Sequence, residues 1–262
     1  MKATPRRNAQ DSICTSESFY VRASDLALSD RAWALAQRLA CVFVAAPIAA
    51  APGLLVTPER IVLELPGFTK PLYADAMSPE VRRRGAAGRG LHLIRACGGE
   101  MARLRVIDAT AGLGRDAFAL AWAGADVMMI EREQALALLL EGAMEALSGA
   151  AAQVGARLRL RCGDARDLLA EVFTGEDVVY LDPMFANATG GLPQREMQML
   201  ARLDRSDDGN ALLAVALDLR PARVVVKRGR RQAALSAGAA RPHHAIVGKR
   251  IRFDVYQARS SS

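Results

Sequence analysis

Histidine and cysteine are both scarce in this chain: three histidines and four cysteines in 262 residues. Cys14, Cys41, Cys97 and Cys162 lie far apart, with no C-x-x-C pair and no cysteine–histidine cluster. That spacing argues against a metal site and against a disulfide framework. It predicts free thiols in a reducing cytosol, and hence a cytoplasmic protein. Long charge-free runs are also rare. Leu39 to Val56 is one, but Pro47, Pro52 and Gly53 interrupt it, so it reads as strand, turn, strand and not as a spanning helix. It begins too far from the N-terminus for a signal peptide. No internal repeat occurs.

What is present is an ordinary globular composition, 51% hydrophobic and 24% charged, in a chain long enough for a sizeable core. The net charge is +7 and unevenly spread. Residues 1–100 carry 13 basic and 9 acidic side chains, residues 101–219 carry 11 and 18, and residues 220–262 carry 11 and 1. An acidic middle suits a cationic cofactor, and basic flanks suit a polyanion.

The pattern along the chain divides it. Residues 1 to about 18 are polar and read as a loose end. Asp30 to Leu39 has helical spacing, with Trp33, Leu35 and Leu39 available for one face. Leu54 to Val56 and Ile61 to Leu65 read as a strand pair, with Leu72 to Ala76 as a further short strand. From Leu104, strand and helix alternate. Strands are expected at 104–108, 127–130, 158–161, 178–181 and 223–227, and helices at 115–122, 134–147, 165–173, 195–203 and 211–219. A closing hairpin is expected from 245–247 and 251–256. Alternation of this kind calls for an α/β fold, a mostly parallel sheet covered by helices on both faces. The division expected is a small N-terminal α+β domain at 1–95, with an RNA-gripping role, and a catalytic domain at 96–262.

Two segments carry the chemistry. Val106-Ile107-Asp108-Ala109-Thr110-Ala111-Gly112-Leu113-Gly114-Arg115-Asp116 is a strand entering a glycine turn that opens a helix. Gly112 and Gly114 let the backbone bend and approach a ligand closely. Glu131, at the end of the next strand, can accept both hydroxyls of a ribose. Asp164, after the third strand, can accept an adenine amine, or serve as a plain helix cap. The same glycines fit G-x-G-x-x-A, so a nicotinamide-dependent oxidoreductase remains open on this segment alone. The second segment is Val178-Val179-Tyr180-Leu181-Asp182-Pro183-Met184-Phe185. A carboxylate and a backbone carbonyl, from Asp182 and Pro183, can draw hydrogen bonds from an exocyclic amine, and Phe185 offers a face for the base. Such a site suits methyl transfer from a sulfonium donor to the amine of a base, adenine N6 included. Three basic clusters, Arg82–Gly90, Lys227–Arg231 and Lys249–Arg252, are candidate nucleic-acid contacts or solvated faces. A non-catalytic RNA-binding factor on the same fold is a further alternative.

Taken together, Asp108–Phe118, Ile130-Glu131-Arg132, Val178–Phe185, Val224–Arg228 and Arg252–Tyr256 resemble the bacterial small-subunit ribosomal RNA guanine-N2 methyltransferase family. The similarity continues more weakly through Leu55–Glu59 and Gly88-Arg89-Gly90. It departs at Ala186 and Gly229, where the family carries proline, and at Leu91. The resemblance implies a Rossmann-like class I methyltransferase that uses S-adenosylmethionine and acts on one guanine of 16S rRNA or the small subunit. It implies cofactor contacts at Arg115, Asp116, Glu131, Arg132, Asp164, Ala165 and Asp182.

Overall fold

The computed structural model describes residues 19–183 and 209–257. The strand pair expected near residue 60 is present. β3 (Gly53–Val56) and β4 (Ile61–Glu64) run antiparallel, joined by a turn in which Thr57 and Arg60 exchange hydrogen bonds. β1 (Tyr20–Ala23) lies parallel to β3 on one side and to the two-residue β2 (Val42–Phe43) on the other, giving the order β2-β1-β3-β4. Leu72 contributes an isolated bridge to Leu63, in place of the strand expected at 72–76. Helix α1 (Ser29–Arg38) covers this sheet with Ala32, Leu35 and Ala36, and Leu39 follows them inward. Trp33 does not join that face; it is 56% exposed, because it sits a third of a turn away from the alanine side.

The main sheet begins beyond two short helices, α2 (Pro79–Ala86) and α3 (His92–Cys97). In chain order it contains β5 (Arg105–Asp108), helix α4 (Arg115–Trp122), β6 (Asp126–Glu131), α5 (Gln134–Glu145), α6 (Ala152–Gly155) and β7 (Leu158–Cys162). Then follow α7 (Ala165–Val172), β8 (Val178–Leu181), α8 (Gly209–Asp218), β9 (Arg223–Gly229), β10 (His244–Val247) and β11 (Ile251–Tyr256). The strand order is β10-β11-β9-β8-β5-β6-β7. β5 to β9 are parallel, and β11 runs antiparallel to both β9 and β10, which is the expected closing hairpin. The expected helix at 195–203 lies outside the described residues.

Alternate strand residues reach opposite faces of this sheet. Val106, Tyr180 and Val225 share a buried cluster with Phe118 and Leu120 of α4 and Leu138–Leu140 of α5. Ile107, Val179, Val224 and Val226 share the other with Leu169 of α7 and Leu212 and Leu213 of α8. Each such leucine, once buried, contributes about 1.5–3 kcal/mol. α5 is apolar nearly all round because it is covered on both sides. It packs on β6 and β7 and also on β4, where Gly142 admits Ile61. Arg31–Glu145 and Arg38–Glu141 ion pairs tie α1 to the same helix. One buried cluster therefore runs from Phe19 to Val255. The boundary expected at residue 95 falls inside α3, and α2 and α3 pack on α4 and on β9–β11.

The chain leaves β5 for β6 and β7 on one side, then returns to β8 on the other. That reversal opens a crevice at the carboxyl ends of β5 and β8, where ligands bind in sheets of this kind.

Candidate active site

The glycine turn occupies one wall of that crevice. Gly112 and Gly114 both adopt positive φ, 55° and 73°, the left-handed region that side chains with a Cβ avoid. Their surroundings differ. A Cβ on Gly114 would lie 2.6 Å from Leu140 and 2.7 Å from Phe118, whereas one on Gly112 would meet only the Thr110 carbonyl at 4.0 Å. Gly114 is thus demanded by packing, and Gly112 by conformation beside open space. Glu131 pins the turn from the end of β6. Its Oε2 accepts the Gly112 N–H at 2.7 Å and its Oε1 the Glu133 N–H at 2.8 Å. Each oxygen keeps a lone pair for a further donor. Burial pushes this carboxyl up to about 7, against the two backbone hydrogen bonds that favour its ionised form.

Asp182 forms the facing wall. Its backbone N–H donates to Thr110 Oγ1 at 2.6 Å, which joins the end of β8 to the segment leading into the glycine turn. Its carboxylate Oδ2 accepts Lys227 Nζ at 2.7 Å, and its side chain is 38% exposed. Lys227 also donates to Asp116 Oδ2 at 2.8 Å. Asp116 further accepts the Tyr180 hydroxyl at 2.6 Å and a close ion pair from Arg84 of α2. Burial alone would raise the Asp116 carboxyl, but Lys227 and Arg84 hold it well below the usual carboxylate range. Asp108 lies beneath, buried, with its carboxyl raised well above the ordinary value by burial and its Oδ1 capping the Thr110 N–H. Pro183 is buried, and the first turn of α8 packs on its ring at Gly209. Phe185, named from the sequence as the stacking face, lies outside the described residues, as does Ala186.

Comparison with known proteins bears on what this crevice holds. Residues 41–258 match the family described as "Putative SAM-dependent methyltransferase". The chain belongs to that family. Ribosomal RNA small subunit methyltransferase J from Chromohalobacter salexigens is 41% identical over 226 residues, 80% of this chain and 87% of the relative. The protein of the same name from Coxiella burnetii is 39% identical over 80% of this chain and 84% of its own. The crystal structure of a SAM-dependent methyltransferase from Neisseria gonorrhoeae superposes with a TM-score of 0.71 at 29% identity, covering 93% of this chain and 97% of that one. Membership in a SAM-dependent methyltransferase family closes the oxidoreductase alternative that the glycine spacing left open. The fold is the Rossmann-like one expected, and S-adenosylmethionine is the cofactor of the family.

The residues present fit that cofactor. A positive-φ glycine with open space above it stands beside a buried carboxylate with spare acceptor capacity, at the carboxyl edge of parallel strands. The other positions named from the sequence lie at the same carboxyl edge, after β6 and β7 and at the start of α4. The Asp116 carboxylate is taken up by Lys227, Tyr180 and Arg84 in a buried network. Asp164 caps α7, accepting the Arg166 N–H at 2.9 Å and its guanidinium at 2.5 Å. Those bonds, the Arg166 side chain first, lower its carboxyl. Arg132 stands directly after Glu131 and adds to that lowering. Ala165 is buried as the first residue of α7, and Arg115 opens α4 with its carbonyl accepting from Arg84 at 3.3 Å.

The basic clusters are also reassigned in part. In the first cluster, Arg82–Gly90, Arg82 to Ala86 lie on α2, which Ser78 caps through the Val81 N–H. Arg84 points inward, while Arg82 and Arg83 are exposed. Lys227 and Arg228 are not surface contacts: one bridges two aspartates and the other donates to the Ala233 carbonyl at 2.8 Å. Arg252 is held by Asp254 and by the Gly229 and Arg230 carbonyls. Thr110, Tyr180, Arg84 and Lys227 belong to the site; each lies within a motif or basic cluster of the sequence, but none stands out there as a site residue. Register points to Lys227, because Leu181 pairs with Val226 and Asp182 and Lys227 each follow one residue later.

Proposed function

We propose that this protein methylates the exocyclic N2 amine of one guanine in the 16S RNA of the small ribosomal subunit. The observation that carries the reading is Asp182-Pro183, set at the carboxyl end of β8 across the crevice from the glycine turn and Glu131. The names of the relatives support RNA of the small subunit as substrate. S-adenosylmethionine supplies an electrophilic methyl on a sulfonium centre. Glu131 would receive the ribose hydroxyls, and Asp164 and Ala165 would border the adenine, with Arg115 and Arg132 flanking the same rim. Asp182 and the Pro183 carbonyl would accept hydrogen bonds from the amine, turn its lone pair out of the ring's conjugation and hold it on the cofactor side of the crevice. Phe185 stacks on the base. Most of the rate then comes from positioning. The N-terminal region, with Arg82 and Arg83 exposed on α2, holds RNA beside the crevice.

Transfer of labelled methyl to small subunits from cells lacking the protein, with the product nucleoside identified by mass, tests the reading. Label in N2-methylguanosine at one site is the expected result. Label in N6-methyladenosine would replace the target atom, and no label with the cofactor bound would defeat the assignment. Asp182→Ala is expected to lower kcat at least about a hundredfold, the scale seen when one donor or acceptor aimed at the reacting group is removed. Undiminished turnover in that variant would defeat its role.

A further inference from the structure

Lys227 bridges two carboxylates that the fold brings from separate elements, Asp116 on α4 and Asp182 beyond β8. The two partners depend on it unequally. Asp116 has Arg84 on one oxygen and the Tyr180 hydroxyl on the other, so it stays satisfied without Lys227. For Asp182, Lys227 alone donates to the carboxylate among the described residues, and it does so through Oδ2. The register of β8 and β9 places the pair side by side on the face that also carries Tyr180 and Val225.

We propose that Lys227 is a positioning residue for methyl transfer: it fixes Asp182 through Oδ2, turns Oδ1 toward the incoming amine, and anchors that carboxylate through Asp116 to Arg84 of α2. The inference rests on the reading in which Asp182 holds the base. A neutral hydrogen-bonding residue would orient the carboxylate less well, because three acids meet here. Asp182 faces Asp116 from α4 and Asp108 from β5, with the Tyr180 hydroxyl on its own strand, and Lys227 of β9 and Arg84 of α2 oppose them. Lys227 keeps its charge in this setting because the two aspartates outweigh the effect of burial. Burial raises the Asp182 carboxyl, and Lys227 opposes that rise, favouring the ionised state that accepts best from an amine.

The test uses the full-length protein with small subunits as substrate. It measures kcat, KM, cofactor affinity and the acidic limb of the kcat profile for wild type, Lys227→Met, Lys227→Gln, Lys227→Arg and Asp182→Ala. Lys227→Met is expected to lower kcat about tenfold or more at pH 7 and to move the acidic limb up by about one pH unit, as loss of an adjacent opposite charge does. Cofactor affinity is expected to stay within about threefold, since Lys227 touches neither the glycine turn nor Glu131. Lys227→Gln, which keeps a donor, covers the case in which Lys227→Met fails to fold and is expected to move the limb in the same direction. Lys227→Arg is expected to restore the limb. A folded, cofactor-binding Lys227 variant with a uniform loss at every pH, or no loss, would overturn the inference. Wild-type turnover in Asp182→Ala would overturn the base-holding reading and this inference with it. Loss in Asp182→Ala alongside an unmoved limb in the Lys227 variants would overturn this inference alone.

Discussion

Glu131 is placed to report cofactor binding by its proton. Its carboxyl titrates at about 7 because burial disfavours the charged form. An acid raised in the fold contributes stability that is complete below its ordinary value near 4.5 and lost as pH rises through about 7. On the proposed reading two ribose hydroxyls would donate to the carboxylate and favour its ionised form, so binding is expected to lower its pKa and release a proton. S-adenosylmethionine affinity is therefore expected to be up to about tenfold weaker at pH 6 than at pH 8, levelling above pH 7. Calorimetry in buffers of different ionisation enthalpy would measure the released proton near pH 6.5. Glu131→Gln is expected to bind more weakly and to flatten this dependence. A pH-independent affinity in the wild type would show that Glu131 keeps its proton state on binding.

At the scale of elements, the glycine turn separates two requirements that look alike in sequence. Gly114→Ala adds a positive-φ penalty of about 1–2 kcal/mol to a clash with Leu140 and Phe118, so a loss of about 2–4 kcal/mol of stability is expected. Gly112→Ala carries only the conformational penalty, about 1–2 kcal/mol, and places its methyl in the open space of the crevice. The expected contrast is a large fall in Tm in the first variant, and a smaller fall with weakened cofactor binding in the second. Equal loss of Tm in both would show that the space above Gly112 is not open. The sequence made this half of the molecule readable because each element repeats one local rule: a short β-branched run, a turn, an apolar helix. Boundaries of α4 and β8 agree with expectation to the residue. The N-terminal sheet was less legible. β1 is only Tyr20-Val21-Arg22-Ala23, and its parallel partners lie some 20 and 30 residues onward, so no local pattern marks it. α2 was hidden by its arginines and Gly85, although Ser78-Pro79-Glu80 is a helix-start signal. Gly85 there is a packing residue, sitting against Trp122. The same limit applies to the site. Gly112, Asp116, Glu131 and Asp182 stand in recognisable motifs, whereas the meeting of Arg84, Asp116 and Lys227 depends on long-range packing that no motif records.

For the whole molecule, charge outlasts motif as the guide to the substrate, provided buried cations are removed from the count. Arg84, Lys227, Arg228 and Arg252 contribute to the formal net charge of +7 but are spent on internal acids and carbonyls. What remains for RNA includes Arg82 and Arg83 of α2, Arg230 and Arg231 after β9, and Lys249 and Arg250 in the hairpin turn, all exposed. Arg82 lies over the Trp122 ring at 5.6 Å, so its guanidinium is already oriented on the helix that begins at the glycine turn. A phosphate contact is visible as salt dependence, since each neutralised phosphate releases counterions. Replacing Arg82 and Arg83 together by serine is expected to weaken RNA binding and to reduce the slope of log affinity against log salt by about 1.5. Cofactor affinity is expected to stay unchanged. Arg31→Ser serves as the control, because that guanidinium is engaged by Glu145 and its loss is expected to leave the slope as it was. An unchanged slope in the double variant would mean that α2 presents a solvated face and that the RNA is held by the cations beyond β9.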